Sequence, residues 1–449
     1  MTTPVGAENR DTASSQGLQG QQIDLAGTRH LDPQPQRLTP TRPRACGEQQ
    51  KKDQNSDCPE PEVSQLFDAG HRCGHRCGPE PLKGFPSGLR GNRWWVNSSA
   101  GLGGAVAPVR FGLIGYGFGA RYFHAPLIAS APGCELVAVA TRSAERGALV
   151  AAEHPAAAVV DDLPGLVAAG AEAVAVSTPA DTHVRLCRQA LQLGLPVVVD
   201  KPFALTAADA RTTVQLADRL AVPLSVYQNR RWDSDFRTVR TLADSGTLGD
   251  ITRFESRFER RQDGPPTAGG GTLLDFGSHL VDQALQLLGP VGTVYAEMHH
   301  RDDPARLDHD VFVALTHTGG AHSHLWGSWV QSAPGPRFRV TGTRATYLVD
   351  GLDIQEELLV GGQTPASAGE SWGAEPSHRW GRIHDGTTTT PHPTERGRWD
   401  TYYPAFAAAV RGHGPVPVDP RDAVATAEVL DAARASTARQ QLIHLTTSR

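Results

Sequence analysis

Two glycines and an alanine have the spacing of a dinucleotide-binding turn. The segment GYGFGA follows the short apolar run VRFGLIG and precedes a stretch of helical character. At this spacing the first glycine allows a tight turn, the second lets the main chain approach a pyrophosphate, and a small third residue lets helix and strand pack closely. The free N–H groups at the helix start favour an anion. The alternative is a glycine-rich turn that binds no ligand. The cofactor contacts predicted here are Gly115, Tyr116, Gly117, Phe118, Gly119 and Ala120.

The end of the second apolar run bears on the choice of cofactor. CELVAVA leads into Thr141, Arg142 and Ser143, and no carboxylate follows before Glu145. NAD sites usually place a carboxylate there for the ribose 2′-hydroxyl, whereas an arginine with neighbouring hydroxyls suits a 2′-phosphate. The sequence therefore favours NADP over NAD. The alternative is that Arg142 is an ordinary surface residue.

A carboxylate and a histidine further along the chain have helical spacing. Asp275 and His279 are four residues apart, and Asp282 continues the same stripe. Histidine is the side chain best suited to accept a proton near neutral pH, and an adjacent carboxylate can orient it. The spacing predicts His279 as an acid/base and Asp275 as its partner. The alternative is a capping box formed by Thr272 and Asp275, in which Asp275 only starts a helix.

The first part of the chain with regular structure alternates strands and helices. Buried-type runs such as AEAVAVS and LPVVVD are separated by helical stretches, predicted at 118–130, 181–193 and 206–220. This alternation predicts βαβ units and a parallel sheet. Lys201 follows LPVVVD. It is therefore expected at the carboxyl edge of that sheet, where ligands bind in such folds.

After residue 231 the pattern changes to consecutive strand-like runs. ITRFESRFER alternates, and GTVYAEMHH, HDVFVALTH and ATYLVDG follow without helices between them, which predicts an antiparallel or mixed sheet. The predicted fold class is therefore α/β: an N-terminal Rossmann doubly wound parallel sheet plus a C-terminal α+β domain with a large, mostly antiparallel open sheet. The predicted domains are 109–230 for the first and 231–449 for the second, with C-terminal helices from about 402.

Residues 1–108 lack sustained apolar periodicity and are rich in Gln, Gly, Pro and Ser. They are predicted to form a disordered tail, or to precede the true start of translation near Val106 or Val109. Cys73 and Cys77 stand beside two histidines, but their spacing is not that of a zinc knuckle. The histidines scattered over the later strands also fit no metal triad, and no metal is predicted.

The charge and hydropathy of the chain argue against some classes of binding partner. The net charge of -5 is spread along 449 residues without a long basic run, which argues against nucleic acid and anionic membranes. No apolar stretch is long enough to span a bilayer, and the first residues lack the apolar segment of a secretory signal. A cytoplasmic location is the expectation.

Several segments together resemble the Gfo/Idh/MocA oxidoreductases. GLIGYGFGARYFHAPLI is similar to the opening motif of the family, and VVVDKPFALT to its Glu-Lys-Pro segment, with Asp200 in place of the usual Glu. STPADTHVRLCRQAL, GGGTLLDFGSHLVDQALQLLG and PVPVDPRDAVATAEVLDAA resemble later segments of one subgroup. The resemblance extends from Val109 to about Ser436.

The resemblance implies a site and an activity. Lys201, Asp275 and His279 fall on the catalytic Lys, Asp and His positions of the family. Further cofactor contacts fall on Ser177, Thr178, Pro179, His183 and Lys201. The implied activity is hydride transfer between NADP(H) or NAD(H) and a CH–OH or C=O group of a sugar, sugar acid or cyclitol, by a homodimer or homotetramer. The alternatives are a non-catalytic NAD(P) sensor and a nicotinamide-assisted glycosidase.

Overall fold

The computed structural model describes residues 107–261, 270–300 and 307–445. The predictions for residues 1–106, including the cysteine and histidine pairs, lie outside this range. The strands are β1 Val109–Ile114, β2 Cys134–Ala140, β3 Ala158–Val160, β4 Ala173–Val176, β5 Val197–Val199, β6 Leu224–Val226, β7 Ile251–Glu259, β8 Val291–His300, β9 Asp308–His317, β10 His322–Ser328, β11 Phe338–Gly342, β12 Thr346–Val349, β13 Gly381–His384, β14 Thr389–His392 and β15 Ile443–His444.

The helices surround these strands. They are α1 Ala125–Ser130, α2 Ala144–Glu153, α3 Leu163–Ala168, α4 Ala180–Gln192, α5 Ala207–Leu220, α6 Ser234–Asp244, α7 Gly271–Asp275, α8 Gly277–Leu288, α9 Gln355–Val360, α10 Pro365–Ala368, α11 Tyr402–Val410 and α12 Pro420–Arg439. A π-helical segment, Ala120–His124, precedes α1, and a 3-10 turn, Asn229–Trp232, follows β6.

The first sheet is parallel and has the strand order β3-β2-β1-β4-β5-β6. This is the order of a Rossmann fold, which brings the carboxyl ends of β1 and β4 together where the winding reverses. Every residue of β4, β5 and β6 is buried, as expected for strands covered by helices on both faces. The predicted Rossmann sheet is confirmed.

The second sheet has the order β14-β13-β12-β11-β7-β10-β9-β8-β15. Its pairs are antiparallel except for β7 with β10, so the predicted large, mostly antiparallel sheet is also confirmed. One face packs against α8 and α12 around Phe254, Leu280, Val313 and Leu325. This packing holds α8 in a fixed position beside the sheet.

Two observations concern only the described residues. Among them, no helix combines the length and apolar character that a membrane crossing requires. In the same part of the chain, His, Cys, Asp and Glu form no group of three or more suited to hold a metal ion.

Candidate active site

The glycine turn connects β1 to the following helix. Gly115 has φ +95, and a Cβ there would lie 2.2 Å from the main-chain oxygen of Ser177, so the position requires glycine. A Cβ at Gly117 would have no neighbour within 4 Å, which leaves open space above the main chain. Ala120 is fully buried against the sheet. These three environments fit the roles predicted for the turn and form a cradle that a pyrophosphate can enter.

Two aromatic residues of this turn have different surroundings. Tyr116 is buried, and its hydroxyl donates to Glu153 Oε2 at 2.7 Å. The hydroxyl of Tyr116 is therefore already engaged with Glu153. A ligand in the turn would contact Tyr116 through its main chain. Phe118 is 53% exposed and its ring lies 5.0 Å from that of Tyr122. Phe118 thus presents an apolar surface at the entrance to the cradle.

Thr141, Arg142 and Ser143 follow the end of β2. Ser143 caps α2, because its hydroxyl accepts from the N–H of Arg146 at 3.3 Å. Thr141 Oγ1 accepts from the N–H of Ser143. Arg142 is exposed and has no hydrogen-bond or ion-pair partner among the residues that the structure describes. Of the three predicted 2′-phosphate contacts, Arg142 therefore has the most free donors.

The segment after β4 lies against the glycine turn. Ser177 Oγ donates to Asp200 Oδ2 at 2.8 Å, and Thr178 Oγ1 pairs with Thr182 Oγ1 at 2.6 Å. A Cβ at Gly119 would lie 3.0 Å from both Ser177 Oγ and Asp200 Oδ2. The predicted contacts Ser177, Thr178 and Pro179 thus lie at the same sheet edge as the turn.

His183 holds two loops of this edge together. The ring is buried, with Nε2 2.8 Å from the oxygen of Thr178 and Nδ1 2.8 Å from the oxygen of Pro202. Both ring nitrogens are therefore engaged with main-chain oxygens. The geometry supports His183 as a residue that positions the Thr178 and Lys201 loops, instead of the direct cofactor contact that the sequence predicts.

Asp200 is partly buried and contacts several of these elements. Its Oδ1 accepts from the N–H of Lys201 at 2.8 Å, and its Oδ2 lies 3.3 Å from Nε2 of His124. Burial would raise the pKa of the Asp200 carboxyl, but the charges of His124 and Lys201 outweigh it and hold the pKa well below its usual range. Asp200 is therefore charged, and it fixes the main chain of Lys201.

Lys201, which follows β5, and Asp275, the last residue of α7, form an ion pair. Lys201 Nζ lies 2.5 Å from Asp275 Oδ1 and 3.4 Å from the main-chain oxygen of Asp275. Both side chains are between one fifth and one third exposed, which leaves the pair open to solvent. The structure therefore brings two of the three predicted catalytic residues into direct contact.

The predicted pairing of Asp275 with His279 is wrong. The two residues do not share a regular helix, because α7 ends at Asp275 and α8 begins at Gly277, with Phe276 between them. No hydrogen bond joins the two described side chains. The capping-box alternative is also wrong, since α7 begins at Gly271 and Asp275 is its last residue.

His279 is buried beside this pair. It is 4% exposed, its Nδ1 has no hydrogen-bond partner among the residues that the structure describes, and its ring is nearly parallel to that of Phe258 at 6.4 Å. Burial lowers the pKa of His279 well below its ordinary value, and the charges of Lys201, Arg230 and Arg337 lower it further. The imidazole is therefore neutral at neutral pH and able to accept a proton.

Asp282 does not belong to the site. Its carboxylate accepts from Arg231 Nε at 2.8 Å and Nη2 at 2.6 Å, in a buried two-point ion pair. Asp275 and Asp282, which the helical spacing places on one face, therefore differ in their surroundings. Asp275 is open to solvent, whereas Asp282 is buried in a structural ion pair. The helix period alone could not distinguish them.

Sequence reasoning missed a group of charged residues on the same side of α7. Arg260 follows β7 and contacts Glu356, which also accepts from Arg230 Nη2 at 2.6 Å. These residues are about 100 positions apart in the chain, and no local motif connects them. The sequence RFE occurs twice in β7 and is a local sign that charge accumulates there.

Comparison with known proteins places this arrangement in a family. Residues 109–228 match the oxidoreductase family with an NAD-binding Rossmann fold, and residues 236–348 match the GFO/IDH/MocA C-terminal domain. The chain belongs to the Gfo/Idh/MocA family. The resemblance inferred from the sequence is thereby confirmed, and with it an oxidoreductase family whose Rossmann domain binds NAD.

Three Gfo/Idh/MocA-like proteins show the extent of the similarity. Escherichia coli YdgJ, named an uncharacterized oxidoreductase, is 36% identical over 72% of this chain and 94% of its own length. Bacillus subtilis IolW, named scyllo-inositol 2-dehydrogenase (NADP(+)), is 31% identical over 76% of this chain and 97% of its own. The solved structure of Bacillus subtilis yvaA is 30% identical, with a TM-score of 0.71 over 76% of this chain and 99% of that one.

Proposed function

We propose that this Gfo/Idh/MocA protein transfers a hydride between NADP(H) or NAD(H) and a CH–OH or C=O group of a sugar, sugar acid or cyclitol. The observation that carries the proposal is the Lys201–Asp275 contact of 2.5 Å, which joins the carboxyl edge of the parallel sheet to α7. The glycine turn lies at the same edge, and neutral His279 lies nearby. The name of the relative IolW, scyllo-inositol 2-dehydrogenase (NADP(+)), specifies a cyclitol.

The cofactor would be held by the main chain of Gly115–Ala120, by Thr141 to Ser143, and by Ser177 to Pro179. When bound, the nicotinamide supplies the hydride acceptor or donor. Arg142 supports NADP as the preferred form, because its free guanidinium suits a 2′-phosphate, and the name of IolW also specifies NADP. Titration calorimetry should show that Arg142→Ala weakens NADP binding by about tenfold and leaves NAD binding unchanged. Equal losses for both cofactors would contradict this role.

His279 and Lys201 have different roles in this reaction: His279 transfers the proton, and Lys201 stabilises the charge on the substrate oxygen. In oxidation, the neutral imidazole of His279 accepts the proton of the reacting hydroxyl. Lys201 Nζ carries three N–H groups, and Asp275 accepts two of them at Oδ1 and at its main-chain oxygen. The third is available to the substrate oxygen, where it stabilises developing negative charge. Asp275 acts by holding the ammonium in this direction.

The proposed homodimer or homotetramer would form through the open face of the second sheet. Phe312, Trp326 and Arg257 are register neighbours there, with Trp326 5.2 Å from Phe312 and 3.9 Å from the guanidinium of Arg257. This half-buried face lies opposite the helix-covered core. Analytical ultracentrifugation should show that the wild type is an oligomer and that Trp326→Lys dissociates it. A monomeric wild type would overturn the proposal.

The activity is tested by following reduced nicotinamide while sugars, sugar acids and cyclitols are supplied with NADP or NAD. Lys201→Met should lower kcat/KM by about 100- to 1,000-fold, as expected when one charge-stabilising donor is removed. Asp244→Asn, an exposed change elsewhere in the second domain, serves as the control. Wild-type turnover in Lys201→Met would refute the role of the lysine. Cofactor binding without net turnover of any substrate would favour the sensor or the glycosidase.

A further inference from the structure

Arg260 lies on a platform of three aromatic rings next to the proposed acid/base residues. Its guanidinium carbon is 5.0 Å from the ring centre of Phe258 and 5.6 Å from those of Phe276 and Trp329. The main chain is fixed, since Arg260 N–H donates to the oxygen of Ser328 at 2.9 Å. We call Arg260 and these three rings the Arg260 platform.

Two rings of the platform, those of Phe258 and Phe276, adjoin the proposed catalytic residues. Phe276 directly follows Asp275, and its main-chain oxygen accepts from the N–H of His279 at 3.0 Å. Phe258 stacks on Phe276 at 4.0 Å and is parallel to the His279 ring at 6.4 Å. A small molecule that reacts between Lys201 and His279 therefore has the Arg260 platform as a neighbouring wall.

Most of the hydrogen-bonding capacity of Arg260 is not used within the described chain. Its only acceptor there is Glu356 Oε1, at 3.3 Å from Nη1 and 3.4 Å from Nη2, which are long contacts. Arg230 holds the other oxygen of Glu356 at a much shorter 2.6 Å. Of the five N–H groups of a guanidinium, three remain without an acceptor among these residues. The Arg260 side chain is 35% exposed, so these donors are accessible.

Arg260 shares its carboxylate with a second arginine. Glu356 lies 2.6 Å from Arg230 Nη2 and 3.3 Å from Arg260 Nη1, so its stronger contact is with Arg230. Glu356 therefore neutralises the charge of Arg260 only in part. A cation that is only partly neutralised, beside aromatic rings, is suited to bind oxygen-rich ligands.

We propose that Arg260 binds the substrate, by donating to two oxygen atoms remote from the reacting carbon, while the aromatic rings contact the C–H face of the same molecule. The oxygens belong either to neighbouring hydroxyls or to a carboxylate of a polyhydroxylated compound. This inference rests on the proposed function, because the platform is a wall of that site. It deepens the proposal by naming the residue that selects the substrate.

The test measures ligand binding separately from turnover. Wild-type protein saturated with NADP is titrated with scyllo-inositol and with D-gluconate, followed by thermal shift and calorimetry. Arg260→Gln should weaken binding of at least one probe by about 10- to 100-fold, the effect of losing a charged donor, and leave cofactor affinity unchanged. Arg260→Lys keeps the charge but loses the planar fork, and should show a smaller loss.

Arg382→Gln is the matched control. Arg382 is also exposed and bound to one carboxylate, Asp350, at 3.2 Å, but it lies on β13, with β12 and β11 between it and β7. A salt-sensitive loss confined to D-gluconate would assign the carboxylate, and an equal loss for both probes would assign the hydroxyls. Unchanged probe affinity in folded Arg260→Gln, or no binding of either probe by the wild type, would overturn the role. Arg260-dependent binding without nicotinamide reduction would overturn only the proposed activity.

Discussion

His279 is surrounded by positive charge instead of by a carboxylate. Burial and the charges of Lys201, Arg230 and Arg337 all lower its pKa, so the neutral ring persists below the usual histidine value of about 6.5. Because oxidation requires the neutral form, kcat/KM should stay constant to below about pH 6.5 and fall only as the pH drops through the lowered pKa. Lys201→Met removes one nearby cation and should raise the pKa of His279.

NMR titration of the histidine ring protons checks this prediction. The resonance missing from His279→Gln assigns His279. Its midpoint should lie below the usual histidine value of about 6.5 in wild type and move upward in Lys201→Met. A His279 midpoint at or above the usual histidine value would contradict the prediction. It would also remove the argument for a neutral base at physiological pH.

Lys201, Asp275 and His279 show which features of a site the sequence can predict. Residue type and family resemblance selected Lys201, Asp275 and His279, and the structure brings Lys201 and Asp275 into contact. The pairing among them was predicted wrongly, because helical spacing assumes one continuous helix and the chain breaks at Phe276. The true partner of Asp275 is 74 residues away, and periodicity carries no information about such a contact.

At the scale of elements, the glycine turn offers a matched pair of substitutions. Gly115→Ala places a Cβ at φ +95 against the Ser177 oxygen, and the positive φ alone should cost about 1–3 kcal/mol of unfolding free energy. Gly117→Ala meets no protein atom within 4 Å, so stability should change by less than about 0.5 kcal/mol. The new methyl group would instead occupy the cradle and weaken NADP binding by about tenfold or more.

Urea unfolding and calorimetry distinguish the two variants. Equal loss of stability in both would show that Gly117 is structural, and full NADP affinity in Gly117→Ala would show that the cofactor does not approach the turn at that position. The pair thus separates the turn as a fold element from the turn as a binding site.

Prediction of elements succeeded where hydrophobic periodicity was strong. The apolar runs that become β1, β2, β4 and β5 were evident, because strands buried on both faces need continuous apolar character. The short strands β13, β14 and β15, at the two ends of the second sheet, were missed. The edge strand β14, TTPH, is mostly exposed, and its strand conformation depends on a neighbouring strand that the local sequence does not specify.

At the scale of the whole molecule, buried ion pairs fix the second sheet and its helices to the end of the Rossmann sheet. Arg231 lies in the 3-10 turn after β6, and Asp282 lies on α8, three positions beyond His279. Their side chains are 8% and 3% exposed. We therefore expect this pair to hold α8, which carries His279, in position relative to the Rossmann sheet.

Removing one member of that pair should be far more damaging than removing an exposed ion pair. Arg231→Met leaves the Asp282 charge buried without its partner, and should lower the free energy of unfolding by about 3–5 kcal/mol. Arg421→Met breaks an exposed pair with Asp218 and should cost less than about 1 kcal/mol. Adding Asp282→Leu to Arg231→Met removes the unpaired charge and should recover most of the stability, as measured by urea unfolding. If Arg231→Met lost no more stability than Arg421→Met, the Arg231–Asp282 pair would not be needed to position α8. The packing of α8 on the sheet would then be sufficient.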